Sequence, residues 1–325
     1  MPASDARSSD PLRPASSGSI WAALVTVWIV WGTTYLAIRV VNQSIPPLIG
    51  ASLRFLTAGA ILYLWTVRRG DRTGDRPTLR QWRSALIIGT LLVFGGNGLV
   101  SLAEDTIPSG LAALLVAVVP LWLALFDRLL FGKRLRPVAI IGLITGFGGA
   151  ALLAGGSIAG DISAAGIALV VLATLLWTFG SLFARRADLP KRPLVGAGME
   201  MLCGGAVQLA VGVVIGELGD LHPETFSAAS LSAVAYLIVF GSIVAFSCYV
   251  WLIRSAPTSL VATYAYVNPV VAVTLGAIIL SEPLEPRTLI AGAIIVVSVA
   301  LIVSGQRPAP TDEEREEVVR AASGE

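Results

Sequence analysis

Charge is scarce in this chain of 325 residues: Asp, Glu, Lys and Arg together make up 14%, against about a quarter in soluble domains. That shortage argues against a water-soluble fold. Histidine is nearly absent too, with His222 alone, placed in a loop, which disfavours histidine-based metal or triad chemistry. The two cysteines, Cys203 and Cys248, fall inside apolar runs at different depths, so neither a disulfide framework nor a thiolate metal site is indicated. No GxxxxGK[ST] phosphate loop occurs, which disfavours ATP-driven work within this chain. No cofactor is expected. The net charge of +2 comes from basic residues in short loops between apolar runs, a topological signal rather than a nucleic-acid footprint.

What is abundant is apolar surface, 55% of residues with a mean hydropathy of +0.79. It is divided into ten runs of about 20 residues, the length that spans a bilayer core. They fall near 19–41, 47–67, 82–103, 108–131, 136–155, 164–184, 193–216, 228–253, 257–280 and 286–305. The first is too long for a signal-peptide core and reads as a retained helix. The expectation is an all-α polytopic membrane protein of ten transmembrane helices. Tails at 1–18, rich in Ser, Pro and Ala, and at 306–325, polar and acidic, are expected to be disordered or loosely helical. Loops carrying Arg68, Arg69, Arg76, Arg80 and Arg83, then Arg128 and Lys133, then Arg185, Arg186 and Lys191 put both termini on the cytoplasmic side by the positive-inside rule.

The chain also repeats itself. At an offset of 146, Leu-Ile-Gly-Ala-Ser-Leu-Arg-Phe-Leu (48–56) matches Leu-Val-Gly-Ala-Gly-Met-Glu-Met-Leu (194–202), and Trp31 pairs with Trp177. At 149, Pro108, Pro120 and Pro137 pair with Pro257, Pro269 and Pro286. The repeat is therefore five helices long, 19–155 and 164–305. Five is odd, so the second copy enters the membrane from the opposite side. Such an inverted repeat belongs mainly to transporters and supplies two nearly equivalent states with a solute site between the halves.

The stretches Ile29-Val-Trp-Gly-Thr-Thr-Tyr35, Ile107-Pro-Ser-Gly-Leu-Ala-Ala113 with Val119-Pro120, and Ala262-Thr-Tyr-Ala-Tyr-Val-Asn-Pro-Val270 resemble the EamA family of the drug/metabolite transporter superfamily, closest to its bacterial YedA-type members. The resemblance runs from Trp21 to Ile302. It implies a ten-helix inner-membrane permease exporting amino acids, metabolites or drugs. Its partners would be a small-molecule solute and the lipid bilayer. Uptake or exchange of a specific metabolite is the second reading, and a membrane scaffold or enzyme acting on lipid-linked substrates the third.

Candidate solute-binding residues are Trp31, Thr34 and Tyr35 on the first helix, Trp177 as the repeat partner of Trp31, Asn97 between glycines, and Tyr264 with Asn268 one turn apart. Aromatic faces with amide and hydroxyl donors suit an amphipathic solute. The same side chains also suit packing and hydrogen bonding between helices. Pro120 and Pro269 are candidate hinges, each expected to bend its helix at mid-membrane. Arg54 and Glu200 occupy equivalent repeat positions. Inversion separates them by roughly 10 Å in depth at 1.5 Å per residue, so local partners are expected: Glu104 or Asp105 for Arg54, Arg185 or Arg254 for Glu200. Glu200 is the candidate gating charge of the inner vestibule, with its protonation a candidate coupling event.

Overall fold

The computed structural model describes residues 16–69, 76–132, 136–158, 163–256, 258–261, 263–282 and 284–305. Residues 1–15 of the expected N-terminal tail and the whole of the C-terminal one, 306–325, lie outside them, whereas 17 and 18 already belong to the first helix. Fourteen α-helices and two π-helices follow in order, with no strand among the described residues. Helix α1 (Ser17–Asn42) opens on a Ser16 cap and α2 is Pro47–Arg68. Next comes one continuous rod: α3 (Leu79–Ile88), the π-helix Gly89–Gly98, here π1, and α4 (Leu99–Ala103). A Thr78–Gln81 capping box starts it. The fourth segment is split into α5 (Ser109–Val116) and α6 (Val119–Phe131), and α7 covers Pro137–Ile158.

The second half begins with α8 (Ala164–Ala184) and α9 (Pro193–Val214). Another composite rod follows, α10 (Ala228–Tyr236), the π-helix π2 (Leu237–Val244) and α11 (Ala245–Ser255). The short α12 (Thr258–Val261), then α13 (Tyr264–Leu280) and α14 (Pro286–Gly305), complete the chain.

Eight of these segments are long and apolar enough to cross a membrane, and Pro137–Leu153 and Tyr264–Leu280 are shorter apolar helices. Their outer faces carry exposed aliphatics such as Ile144, Val214 and Ile278, the surface expected of helices bathed in lipid. Without a hydrophobic drive between helices in lipid, close backbone approach holds the bundle. Helix α2 lies along α9 and α7 along α14. A methyl group on Gly59 would meet the Leu202 nitrogen at 2.9 Å, and one on Gly198 the Tyr63 nitrogen at 2.9 Å. Gly146 and Gly149 face Ser298 and Ile294 of α14, while Gly148 faces open space.

Two helix ends share a device. Helix α9 ends at Gly216 with φ +96°, and α13 at Ser281 with φ +54°; a left-handed residue there reverses the chain. Each is followed by a glutamate aimed back into the bundle. Glu217 accepts the backbone N–H groups of Leu48 (3.1 Å) and Ile49 (2.9 Å) in the first turn of α2. Glu282 accepts the N–H of Ser109 (2.8 Å), its hydroxyl (2.8 Å) and the N–H of Gly110 (3.1 Å) at the start of α5. A carboxylate satisfies the orphan donors of a helix N-terminus and complements its dipole. A methyl on Gly276 would sit 2.5 Å from Glu282 Oε2, so glycine there leaves room for the carboxylate.

Candidate solute site

Trp31 projects from α1 into a cluster of rings. It lies 5.0 Å from Tyr249 and 5.2 Å, edge to face, from Tyr264, and these two tyrosines are 5.7 Å apart. The Trp31 indole donates to the Gly241 carbonyl of π2 at 3.3 Å. A π-helical turn carries one more residue than an α-helical one and so leaves carbonyls open to outside donors. One turn earlier, the Trp28 indole donates to Thr263 Oγ1 at 3.0 Å. Asn268, buried on α13, orients its amide nitrogen to donate to the carbonyls of Trp28 (3.1 Å) and Tyr264 (3.2 Å). Trp31, Tyr264 and Asn268 are thus brought together between α1, α11 and α13.

The other candidates divide. Thr34 spends its hydroxyl on the Trp31 carbonyl of its own helix at 2.6 Å. Tyr35 turns toward the core around α4, α5 and α8. Asn97 donates to the Leu92 carbonyl within π1 at 3.3 Å, and the Trp177 ring lies so close to Gly96 of π1 that a methyl there would collide with it. Trp31 and Trp177 therefore occupy different sites, each against the π-helix of the opposite half. Elsewhere in the second half, Thr174 accepts from the Trp122 indole at 3.1 Å.

The charges and prolines depart from the sequence reading. Arg54 meets neither Glu104 nor Asp105. Its Nε donates to Ser242 Oγ of π2 at 2.9 Å, and its guanidinium lies 4.4 Å from the Phe55 ring centroid. A hydroxyl freed at the π turn is the nearer acceptor. Arg185 is committed to Asp127 at 2.9 Å, so it does not serve Glu200, and the Arg254 side chain lies outside the described residues. Pro120 does not bend a continuous helix. The helix is already broken between Val116 and Val119, and Pro120 begins α6, a position where the missing N–H costs nothing. Pro269 does sit inside α13.

Sequence reasoning missed Tyr249 and Ser242, which carry no repeat or motif signal, and the two capping glutamates. A glutamate just after a helix-ending glycine, as in Gly216-Glu217, was the available clue.

The profile of the EamA-like transporter family matches residues 16–155 and 164–304. The "Uncharacterized inner membrane transporter YedA" of Escherichia coli K12 is 38% identical over 94% of this chain and 97% of its own length. "Uncharacterized transporter YvbV" of Bacillus subtilis is 25% identical over 84% of this chain and 88% of its own, and Protein PecM of Dickeya dadantii 28% identical over the same shares. A solved crystal structure, 21% identical, superposes with a TM-score of 0.61 over 90% of this chain and all of that chain, which shows a common fold. With the family profile covering both halves, the chain belongs to the EamA-like transporter family.

Proposed function

We propose that the protein is a secondary transporter that moves small organic solutes, such as amino acids, metabolites or drugs, outward across the cytoplasmic membrane by alternating access. Ten crossings form two inverted five-helix repeats with both termini cytoplasmic. The observation that carries this reading is the reciprocal grip of the halves on their π-helices. The first helix of one half places Trp31 on π2, and the first helix of the other places Trp177, its equivalent at offset 146, on π1. Two like contacts, one per half, are what a carrier with two near-equivalent states requires. The cluster of Trp31, Tyr249, Tyr264 and Asn268, together with Tyr35, Asn97 and Trp177 elsewhere in the bundle, is the surface offered to the solute. Pro120, beside the break between α5 and α6, and Pro269, inside α13, serve as the hinges, and Glu200, half-buried on α9, gates the vestibule.

Counterflow into liposomes containing the purified protein, assayed with a panel of amino acids, sugars and cationic dyes, tests this. Saturable flux of one class is expected; no flux of any class from correctly folded protein overturns it. In the same assay Trp31→Ala is expected to lower flux about tenfold, the equivalent of roughly 1.4 kcal/mol, since it removes two ring contacts and an indole donor. A Glu200→Gln variant with unchanged rate and pH dependence would dismiss the gating role.

A further inference from the structure

Glu104, which ends α4, is completely buried, and neither of its carboxylate oxygens has a hydrogen-bond partner. The Arg39 guanidinium, which could have served it, donates instead to the Glu104 backbone carbonyl. A carboxylate withdrawn from water without donors is among the costliest groups a protein can hold, and within a membrane bundle such groups mark ion or proton pathways.

The surroundings favour a proton over a metal cation. From α1, Tyr35 and Arg39 act electrostatically on Glu104, and Glu282 does so from beyond α13. Helix α8, packed against α4, has no charged residue. Of the two charges on α2, Arg54 is engaged by Ser242 and Arg68 lies at its far end. Glu282 is already saturated by Ser109 and Gly110. It contributes negative potential but no free oxygen, and among the described residues no group of three His, Cys, Asp or Glu could hold a metal.

A route leads inward from this carboxyl. Tyr35, one turn from Trp31 on α1, packs on the core that Leu99 and Val100 of α4 line, and the Tyr264 and Tyr249 rings, 5.7 Å apart, flank Trp31, so phenols lie between the end of α4 and the rings around Trp31. We propose that Glu104 carries the coupling proton, binding it from one side of the membrane and releasing it to the other in each transport cycle. The step is a simple exchange, carboxylic acid to carboxylate plus a proton. Arg39 balances the anion while it lasts. This inference rests on the transporter reading above for its coupling, though not for the proton site itself.

Two measurements test it. Infrared difference spectra of the purified protein between neutral and alkaline pH should show a protonated-carboxyl band, sensitive to deuteration, that disappears in Glu104→Gln and shifts in Glu104→Asp. Its absence from the wild type, or its persistence in Glu104→Gln, overturns the assignment. In liposomes, an imposed pH gradient should accelerate wild-type flux, and the acceleration should be lost in Glu104→Gln. Wild-type flux that ignores the pH gradient, or responds only to sodium, overturns the coupling and leaves the transporter reading intact. Absence of all flux strikes that reading instead, and the infrared band then decides whether Glu104 holds a proton. Should Glu104→Gln fail to assemble, the wild-type gradient response and the Glu104→Asp shift decide.

Discussion

Gly89→Ala and Gly204→Ala are each expected to prevent recovery of folded protein, or to lower its melting temperature sharply. The two glycines face one another where π1 crosses α9. A methyl on Gly89 would collide with the Glu200 carbonyl and lie 2.8 Å from the Gly204 nitrogen, and one on Gly204 would meet Val93 and the Gly89 carbonyl. Overpacking usually costs about 1–3 kcal/mol. Here the obstacles are main-chain atoms, which cannot swing aside as a side-chain tip does, so the upper end or beyond is expected. Gly148→Ala, with nothing within 4 Å, supplies the contrast and should melt as the wild type does. Size-exclusion profiles and thermal melts in detergent distinguish these outcomes. Equal melting of the Gly89 and Gly148 variants would show that π1 and α9 can separate without loss.

Glu282→Ala should be the most damaging substitution of a polar side chain. It strands the N–H of Ser109, a residue with no solvent exposure, together with that residue's hydroxyl and the buried N–H of Gly110. Each unsatisfied buried donor costs about 1–3 kcal/mol, and the loss of a negative charge at a helix N-terminus adds about 0.3–1 kcal/mol. Glu282→Gln keeps one acceptor oxygen and should lose less. Glu217→Ala strands only Leu48 and Ile49 and should fall between the two. Thermal melts of the three variants give the order. If Glu282→Ala melts no lower than Glu282→Gln, the carboxylate is not what holds α5.

Much of the helical frame was legible because membrane helices announce themselves by length and hydropathy. The π-helices were not. An extra residue in a turn changes which carbonyl meets which N–H but leaves the apolar composition of the run untouched, so the sequence around Gly95-Gly-Asn-Gly98 reads as an ordinary span. Arg54 finds its acceptor on the other π-helix, in Ser242 of π2, an uncharged residue 188 positions away that nothing in the local sequence marks. The break before Pro120 was hidden for a related reason: a proline signals a missing hydrogen bond, not whether the helix bends or restarts. Glu104 was considered only as a partner for Arg54. That it is buried without donors follows from how α1 and α8 pack against the end of α4, information that no local stretch contains.

Under the alternating access proposed above, the glutamate ties at the ends of α9 and α13 have a kinetic consequence. Both reach from the second half to the first turn of a first-half helix, Glu217 to α2 and Glu282 to α5, and the short connections at 43–46 and 104–108 put those turns at one end of the bundle. The opposite end carries the exposed ion pair of Arg80 with Asp188, of a kind that contributes little, and the half-buried pair of Arg185 with Asp127. Parting the tied end gives up five hydrogen bonds together. At about 1 kcal/mol each, and tenfold in rate for each ~1.4 kcal/mol, the unlatching of that end is slowed by roughly three orders of magnitude. The dwell time of the shut state, rather than the passage of solute, would then set the turnover.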